Sequence, residues 1–145
     1  MENNDKLIHL AIDYCSLVSN EGIKILAKAC PNLRHFSMKR CDKLKIDADA
    51  IHLISSCPEL RHIGLSRVSD KSLSKILEMC PKMESVSLAG PAWVTDKGLE
   101  HLLTSAPRIQ KLEFRKLTLA FVSNNFDEKF KIKFPESRVT VTASY

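Results

Sequence analysis

A Cys-Pro dipeptide returns at a nearly regular spacing in this chain of 145 residues, and that repetition limits the folds that the chain can adopt. It begins the segments CPNLRHFSMKRC at Cys30, CPELRHIGLSRV at Cys57 and CPKMESVSLAGP at Cys80. Prolines recur at intervals of 23 to 28 residues, at Pro31, Pro58, Pro81, Pro107 and Pro135. A period of this length is typical of solenoids, in which every repeat is one supersecondary unit.

A short strand is predicted after each of the first four prolines. The residues there follow the pattern apolar-x-x-apolar-x-apolar, as at Leu33, Phe36 and Met38. The same pattern begins at Leu7, and Val139 and Val141 echo it after the last proline. The alternating end of the pattern indicates a strand with one buried face.

A helix is predicted between most strands. The segments VSNEGIKIL, VSDKSLSKIL and VTDKGLEHLL have apolar residues at helical spacing, and IDADAIHLI from Ile46 is a looser copy. Four residues lie where a helix N-cap belongs, namely Ser19, Asp47, Ser69 and Thr95. Each helix is expected to end near an X-Pro pair, because proline disfavours helical geometry in the residue before it.

A strand and a helix in every 23 to 28 residues form a leucine-rich-repeat unit, and such units stack because none buries its apolar face alone. The sequence resembles the cysteine-containing subclass of leucine-rich repeats through CPNLRHFSMKRC, CPELRHIGLSRVSDKSLSKIL and CPKMESVSLAGPAWVTDKGLEHLL. The expected fold is an α/β solenoid, a curved right-handed stack with a parallel sheet on its concave face. We expect residues 1–145 to form one domain of about five units, with 117–145 as the C-terminal capping unit.

The resemblance also implies a class of function. This subclass is best known from the substrate receptors of cullin-type ubiquitin ligases, in which an F-box precedes the repeats. Only a few residues precede the first repeat here, so we expect the adaptor-binding part to be absent from this chain. The two hypotheses are a protein-interaction module and the substrate-recognition part of such a ligase.

The five cysteines are predicted to be reduced and structural. They recur at two repeat positions, Ala106 and Phe134 replace them at one of these, and no close ligand pair suggests zinc. The polar N-terminus MENNDKLIHL lacks the apolar core of a signal peptide, and no apolar run could cross a membrane. We therefore expect a cytoplasmic or nuclear protein.

No catalytic or cofactor-binding motif is present. The sequence lacks the patterns GxxxxGK[ST], GxGxxG, HExxH and GxSxG. We accordingly expect no enzymatic activity, no cofactor and no metal.

The candidate binding surface is the concave face, where residues between the buried strand positions point outward. The histidine row is His9, His35, His62, Ser85 and Lys111; the middle row is Ala11, Ser37, Gly64, Ser87 and Glu113; the third row is Asp13, Lys39, Ser66, Ala89 and Arg115. The small side chains of the middle row predict an open trough for a protein partner. The predicted contact residues are His9, His35, His62, Ser37, Gly64, Lys39, Ser66, Lys111 and Arg115.

Histidine and lysine beside the trough favour an acidic partner. Three interpretations of the histidines remain: a tolerated polar ladder, a protein contact and a metal site. The net charge of +5 also permits nucleic acid, through Lys39, Arg40, Arg67, Lys111, Arg115 and Lys116. The sequence shows no aromatic platform for stacking bases, which disfavours that alternative.

Two further segments give predictions. In NNFDEKFKIKFPESRVTVTASY, Phe126, Phe130 and Phe134 recur at four-residue intervals, which favours a helix over a strand for KFKIKF. AGPAWV is predicted to be a longer loop shaped by Gly90 and Pro91. Its Trp93 is interpreted either as an anchor packed on the solenoid edge or as a partner contact.

Overall fold

The computed structural model describes residues 4–44, 51, 54, 56–90, 92–115 and 119–144. Several predictions fall outside these residues. They concern the helix start at Ile46 with its cap Asp47, the turn residue Pro91 and the cation Lys116.

Six parallel strands form the main sheet, as the repeat predicted. They are β1 (His9–Ala11), β2 (His35–Ser37), β3 (His62–Leu65), β4 (Ser85–Leu88), β6 (Lys111–Arg115) and β8 (Thr140–Ser144), in that order across the sheet. Every neighbouring pair is parallel. Within the described residues, a helix lies between most successive strands of the main sheet, so the α/β leucine-rich-repeat solenoid is confirmed.

The helices begin and end where the sequence predicted. They are α1 (Asn20–Ala29), α2 (Asp70–Met79), α3 (Asp96–Ser105) and α4 (Phe126–Lys133). Ser19, Ser69 and Thr95 are N-caps whose hydroxyl oxygens accept the backbone N–H three residues on, at 3.3, 3.3 and 3.2 Å. The C-caps are Cys30, Cys80, Ala106 and Phe134, each directly before a proline.

The core lies between the main sheet and the helices. Leu65, Val68 and Val86 are 0% exposed and come from the strands and the turns that follow them. Leu99 and Leu102 of α3 and Leu73 and Ile76 of α2 face them from the helices. Burying one such side chain contributes roughly 1.5–3 kcal/mol, and residues of successive units share this core.

Four of the five cysteines are buried, and all five are free thiols. Cys41, Cys57 and Cys80 each place Sγ near a carbonyl oxygen of the preceding unit, at 3.0, 3.6 and 3.8 Å. Their thiols thus also act as weak donors between units. Cys15 is exposed, so the structural role predicted for all five cysteines does not extend to it.

The C-terminal segment forms a helix and an edge strand. In α4 the rings of Phe126, Phe130 and Phe134 form a continuous stack, with centroids 6.0 and 4.9 Å apart. The choice of helix for KFKIKF is therefore confirmed. Strand β8 closes the sheet and exposes Thr140 and Thr142, while the capping unit's start at residue 117 falls outside the described residues.

The segment predicted as a loop around Trp93 is partly a strand, which corrects that prediction. Ala92–Thr95 forms β5, which pairs in parallel with β7 (Leu119–Phe121) in a second, two-stranded sheet. The pairing arises because both segments leave a main-sheet strand and approach the next helix along neighbouring paths. Trp93 is 51% exposed, so the indole is available for contact.

Each of four successive strands is followed by one residue with a left-handed backbone. These residues are Tyr14 (φ 62°), Arg40 (φ 56°), Arg67 (φ 56°) and Gly90 (φ 88°). This conformation suits glycine and strains other residues. The turn therefore belongs to the repeat geometry, although only one unit uses the residue that adopts it without strain.

Candidate partner-binding surface

The three rows of the concave face, the face of the main sheet away from the helices, have the predicted register. His9 lies opposite His35, His35 opposite His62, and His62 opposite Ser85. Lys111 continues the histidine row on β6. Across the middle row, Ser37 pairs with Gly64 and Ser87 with Glu113. The register predicted from the sequence therefore identified the neighbouring side chains of these two rows correctly.

The three histidines form a column of imidazole rings. The rings of His9 and His35 are stacked, with centroids 4.0 Å apart and planes 7° from parallel. The His62 ring lies 5.7 Å from that of His35 and is tilted by 36°. Burial lowers the pKa of His35, and the charges of His9, His62 and Lys39 lower it further, whereas Asp13 raises it.

The stacked geometry does not suit one shared metal ion. Ring nitrogens of parallel imidazoles point side by side, whereas ligands must converge on an ion. Within the described part of the chain, no group of three or more His, Cys, Asp or Glu side chains could hold a metal. The histidine column is therefore better interpreted as a polar surface.

Ser37 and Gly64 of the middle row line a recess on this face, but the space immediately beside Gly64 is occupied by Ser37 and is not open. A Cβ atom at Gly64 would overlap Ser37 Oγ and approach Lys39 Cε within 3.2 Å. Ser37 is only 4% exposed, and its hydroxyl donates to Asp13 Oδ1 at 2.6 Å. Gly64 is needed because the serine side chain of the preceding unit occupies the space beside it.

The third row holds successive units together through hydrogen bonds. Asp13 Oδ1 also accepts the backbone N–H of Lys39 at 2.7 Å, and its Oδ2 lies 3.5 Å from Lys39 Nζ. Ser66, 6% exposed, accepts the N–H of Arg40 at 2.9 Å and donates to the carbonyl of Ala89. Ser66, like Ser37, is thus a structural residue rather than an open contact.

The C-terminal half of the face carries the other predicted cations. Lys111 Nζ lies 2.5 Å from Glu113 Oε1, and both side chains are about half exposed (49% and 42%). Arg115 is exposed at the end of β6. Beside the histidine row, Arg61 binds Glu84 at 2.8 Å.

Two recesses lie on this face and are contiguous. The first has a volume of about 380 Å³ and crosses β2, β3, β4 and β6, with His35, His62 and Lys111 in its lining. The second, of about 250 Å³, follows the carboxyl ends of the strands. Both are lined by Lys39, Ser87 and Glu113, and we call the combined recess the concave groove.

The lining residues that were not among the predicted contacts include Ser87, Glu113, Tyr14 and Arg40. Ser87 and Glu113 belong to the middle row, so their row position was the signal that could have identified them. Tyr14 and Arg40 line the second recess, and the Arg40 guanidinium lies 5.9 Å from the Tyr14 ring centroid. Their contact depends on the left-handed turn, which the sequence does not reveal at a non-glycine residue.

One serine–histidine pair occurs outside this face. Ser105 Oγ lies 3.0 Å from His101 Nδ1, but both residues are exposed on one helix, four positions apart. A recess on this side of the molecule is lined by His101, Ser105 and Glu78. The Glu78 carboxylate, however, is bound to Lys75 at 3.2 Å. The pair therefore lacks the carboxylate that orients the imidazole in hydrolytic triads.

The sequence comparisons give one relevant curated relative, whereas no family model matches the chain. The chain is 33% identical over 109 residues to F-box/LRR-repeat protein 23 of Arabidopsis thaliana. The match includes 75% of this chain but spans only 20% of the relative's length. No helix in the described ranges is long and apolar enough to cross a membrane.

The fold is similar to those of three solved structures. A chain of the yeast Rad7 and Elc1 complex superimposes with a TM-score of 0.73 at 22% identity, over 96% of this chain and 35% of that one. The tropomodulin C-terminal domain of Caenorhabditis elegans gives 0.54 at 14% identity, over 99% and 76%. Leiomodin-1 actin-binding site 2 gives 0.54 at 12% identity, over 99% and 73%.

The repeat period, the sheet register and the comparison with the F-box/LRR-repeat relative agree. Units of one strand and one helix recur every 23 to 28 residues and build a single parallel sheet. The chain therefore folds as a leucine-rich-repeat solenoid and is similar in sequence to an F-box/LRR-repeat protein.

Proposed function

We propose that the chain is a non-enzymatic protein-interaction module that binds its partner in the concave groove. The observation that carries this proposal is the course of the groove, which crosses four neighbouring strands without interruption. A rigid sheet holds these side chains in register, so a partner would lose little affinity to ordering them. A binding role also requires no catalytic group.

Exposure divides the predicted residues into two sets, although Ser37, Gly64 and Arg115 also line the groove. His35, His62, Lys39 and Lys111 line the groove and are proposed as direct contacts, joined by Glu113. His9 and Arg115 extend the contact set at either end of the face. Ser37, Gly64 and Ser66 are assigned a supporting role, because the two serines are buried and Gly64 accommodates Ser37.

The test uses Ser87→Arg, which places a long side chain where the two recesses meet. Gly64→Arg would be a poor choice, because its new side chain would first displace Ser37. Partners would be identified by affinity purification and mass spectrometry from the native cell, and their affinity measured by calorimetry. The matched control is Thr104→Arg, an exposed position on α3.

We expect Ser87→Arg to weaken partner binding at least tenfold and Thr104→Arg to leave it unchanged. Circular dichroism must show that both variants keep the wild-type fold. Unchanged affinity of a folded Ser87→Arg variant would refute the groove as the binding site. The exposed Trp93 on β5 would then be the next position to replace.

A second candidate is substrate recognition within a cullin-type ubiquitin ligase. It is favoured by the likeness to an F-box/LRR-repeat protein, of which this chain spans a fifth of the length. In this proposal the repeats contact the substrate and another part of the assembly contacts the adaptor. Co-purification of the chain's partner complex with an F-box adaptor and a cullin would support it, and a partner set without either would favour the simpler module.

A further inference from the structure

The concave face has little fixed charge, because its basic residues lie beside acidic ones. Lys39 is paired with Asp13 and Lys111 with Glu113. The three rows contain three basic residues, the third being Arg115, and two acidic ones, which gives a formal charge of +1 with neutral histidines. The charge of this face thus depends mainly on the three histidines.

Protonation of the histidine column would change that charge to +4, since His9, His35 and His62 each gain one proton. Histidine is the side chain whose ordinary pKa lies closest to neutral pH, so mild acidification is the perturbation that tests this change. The rings are close enough to interact strongly as cations, with centroids 4.0 and 5.7 Å apart. Bound carboxylates would relieve this repulsion.

The charged groups around the histidine column determine how its protonation changes the net charge of the face. Ser85, the next member of the row, is uncharged. The charged groups nearest the column are Asp13, Lys39, Arg61, Glu84, Lys111 and Glu113, and Arg40 and Arg115 lie farther along the face. The first six form three ion pairs, so they contribute little net charge beside the imidazoles.

We propose that the partner presents an acidic segment to the histidine column, and that this contact tightens as protonation makes the column cationic. The inference rests on the proposed function, since it names the partner chemistry and the regulation of the same groove. An imidazolium donates a charge-assisted hydrogen bond to a carboxylate, which a neutral imidazole cannot match. The lowered pKa of His35 is consistent with a column that loses its protons readily when no anion is bound.

The observations favour an acidic protein segment over nucleic acid. Bases need aromatic platforms for stacking, and the groove lining offers one aromatic side chain with an exposed ring, Tyr14, partly covered by Arg40. Carboxylates need only the imidazole edges and the neighbouring Lys39. Strand spacing of about 4.8 Å would let an extended segment address successive histidines as it crosses the sheet.

The test measures binding of a tetramethylrhodamine-labelled deca-aspartate peptide by anisotropy at pH 7.5, 6.5 and 5.5, at constant low ionic strength. Aspartate, with a pKa near 3.9, stays ionised over this range, so any pH dependence belongs to the protein. A tenfold rise in affinity corresponds to one histidine whose pKa rises by one unit on binding. We expect at least a tenfold rise between pH 7.5 and 5.5.

The decisive variant replaces His9, His35 and His62 together by asparagine, which is polar but does not titrate. It should keep its fold by circular dichroism and lose the pH dependence, whereas the control His101→Asn on α3 should keep it. NMR titration of the imidazole C–H signals should show the pKa of at least one column histidine rising when the peptide is added. An unchanged pH dependence in the triple variant would overturn the proposal.

Three other outcomes are also decisive. Absence of peptide binding at pH 5.5, or equal affinity at all three values, would overturn the acidic, pH-dependent contact. Tighter binding of a ten-residue oligothymidylate at pH 5.5 would overturn the choice of a protein segment. If Ser87→Arg still abolishes binding of the native partner in these cases, the concave groove stands and only this inference fails.

Discussion

Gly98 is expected to be required as glycine because the neighbouring Asp70 carboxylate leaves no space for a Cβ atom, and the substitution Gly98→Ala tests this. Asp70, at the start of α2, accepts the backbone N–H of Thr95 at 2.9 Å and its hydroxyl at 2.7 Å. Thr95 in turn caps α3 by accepting the N–H of Gly98. A Cβ atom at Gly98 would overlap the Asp70 carboxylate and lie 2.7 Å from its Oδ2.

Two opposing terms decide the magnitude. Alanine is favoured over glycine inside a helix by roughly 0.5–1 kcal/mol, so the substitution alone should stabilise α3. Displacing Asp70, however, removes two hydrogen bonds to a charged group, each contributing about 1.5–3 kcal/mol. Part of this loss is recovered because Asp70 is half-buried and can be rehydrated. We expect a net loss of about 1–3 kcal/mol in the free energy of unfolding.

The chain contains a matched control in Gly22, which occupies the same position of α1. A Cβ atom there meets nothing closer than Ser19 Oγ at 3.8 Å. Gly22→Ala should therefore stabilise the protein by roughly 0.5–1 kcal/mol. Because both substitutions change the same residue at the same helical position, their difference isolates the carboxylate contact.

Urea denaturation followed by circular dichroism measures both effects, and a double-mutant cycle completes the test. In the Asp70→Ala background the carboxylate is gone, so Gly98→Ala should change sign and become stabilising. If Gly98→Ala stabilised the wild-type protein, or destabilised both backgrounds equally, the reasoning about the carboxylate would be refuted.

Four further outcomes are expected. Burial raises the pKa of Cys57 and Cys80 to about 11, so a thiol reagent at pH 8 should label exposed Cys15 rapidly and these two slowly; rapid labelling of all five would contradict this. Between about pH 9 and 11 the unfolded chain loses the protons of the same two thiols, whereas the folded protein keeps them. The contribution of these thiols to the free energy of unfolding is therefore complete below about pH 9 and should fall as the pH rises toward 11. Arg67→Gly should raise the free energy of unfolding, measured by urea denaturation, by up to about 1 kcal/mol, because φ is 56° at this position. A fall in this free energy would show that the arginine side chain contributes more than the strain. Ile76→Pro, at a position 1% exposed within α2, should cost about 3 kcal/mol or more and spread to adjacent units; an unchanged melting temperature would exclude a helix there.

The order of elements and the register of the strands could be predicted because each depends on periodic features. Apolar residues at fixed offsets after each proline place Phe36 beside Ile63, and this in turn places His35 beside His62. Caps such as Ser69 follow from local chemistry that every helix start requires. Such inferences require only a comparison of equivalent positions in two repeats.

The depth of the surface could not be predicted, because it depends on contacts between different side chains of neighbouring units. The sequence showed that Ser37 and Gly64 are both small, which suggested empty space. The structure shows instead that one fills the space left by the other. A small residue can mark a cavity or a close approach, and residue size alone does not distinguish them.

The same ambiguity runs through the polar residues at the helix starts, and it changes what they are expected to do. Asp70 and Asp96 lie in the first turns of α2 and α3, where a negative charge interacts favourably with the helix N-terminus. In the structure each also accepts a backbone N–H from the next unit, that of Thr95 at 2.9 Å and that of Ser123 at 2.7 Å. Replacing either carboxylate should therefore weaken the interface between units as well as one helix. The concave groove crosses four strands from different units, so bonds that hold neighbouring units together also help to keep the groove residues in register.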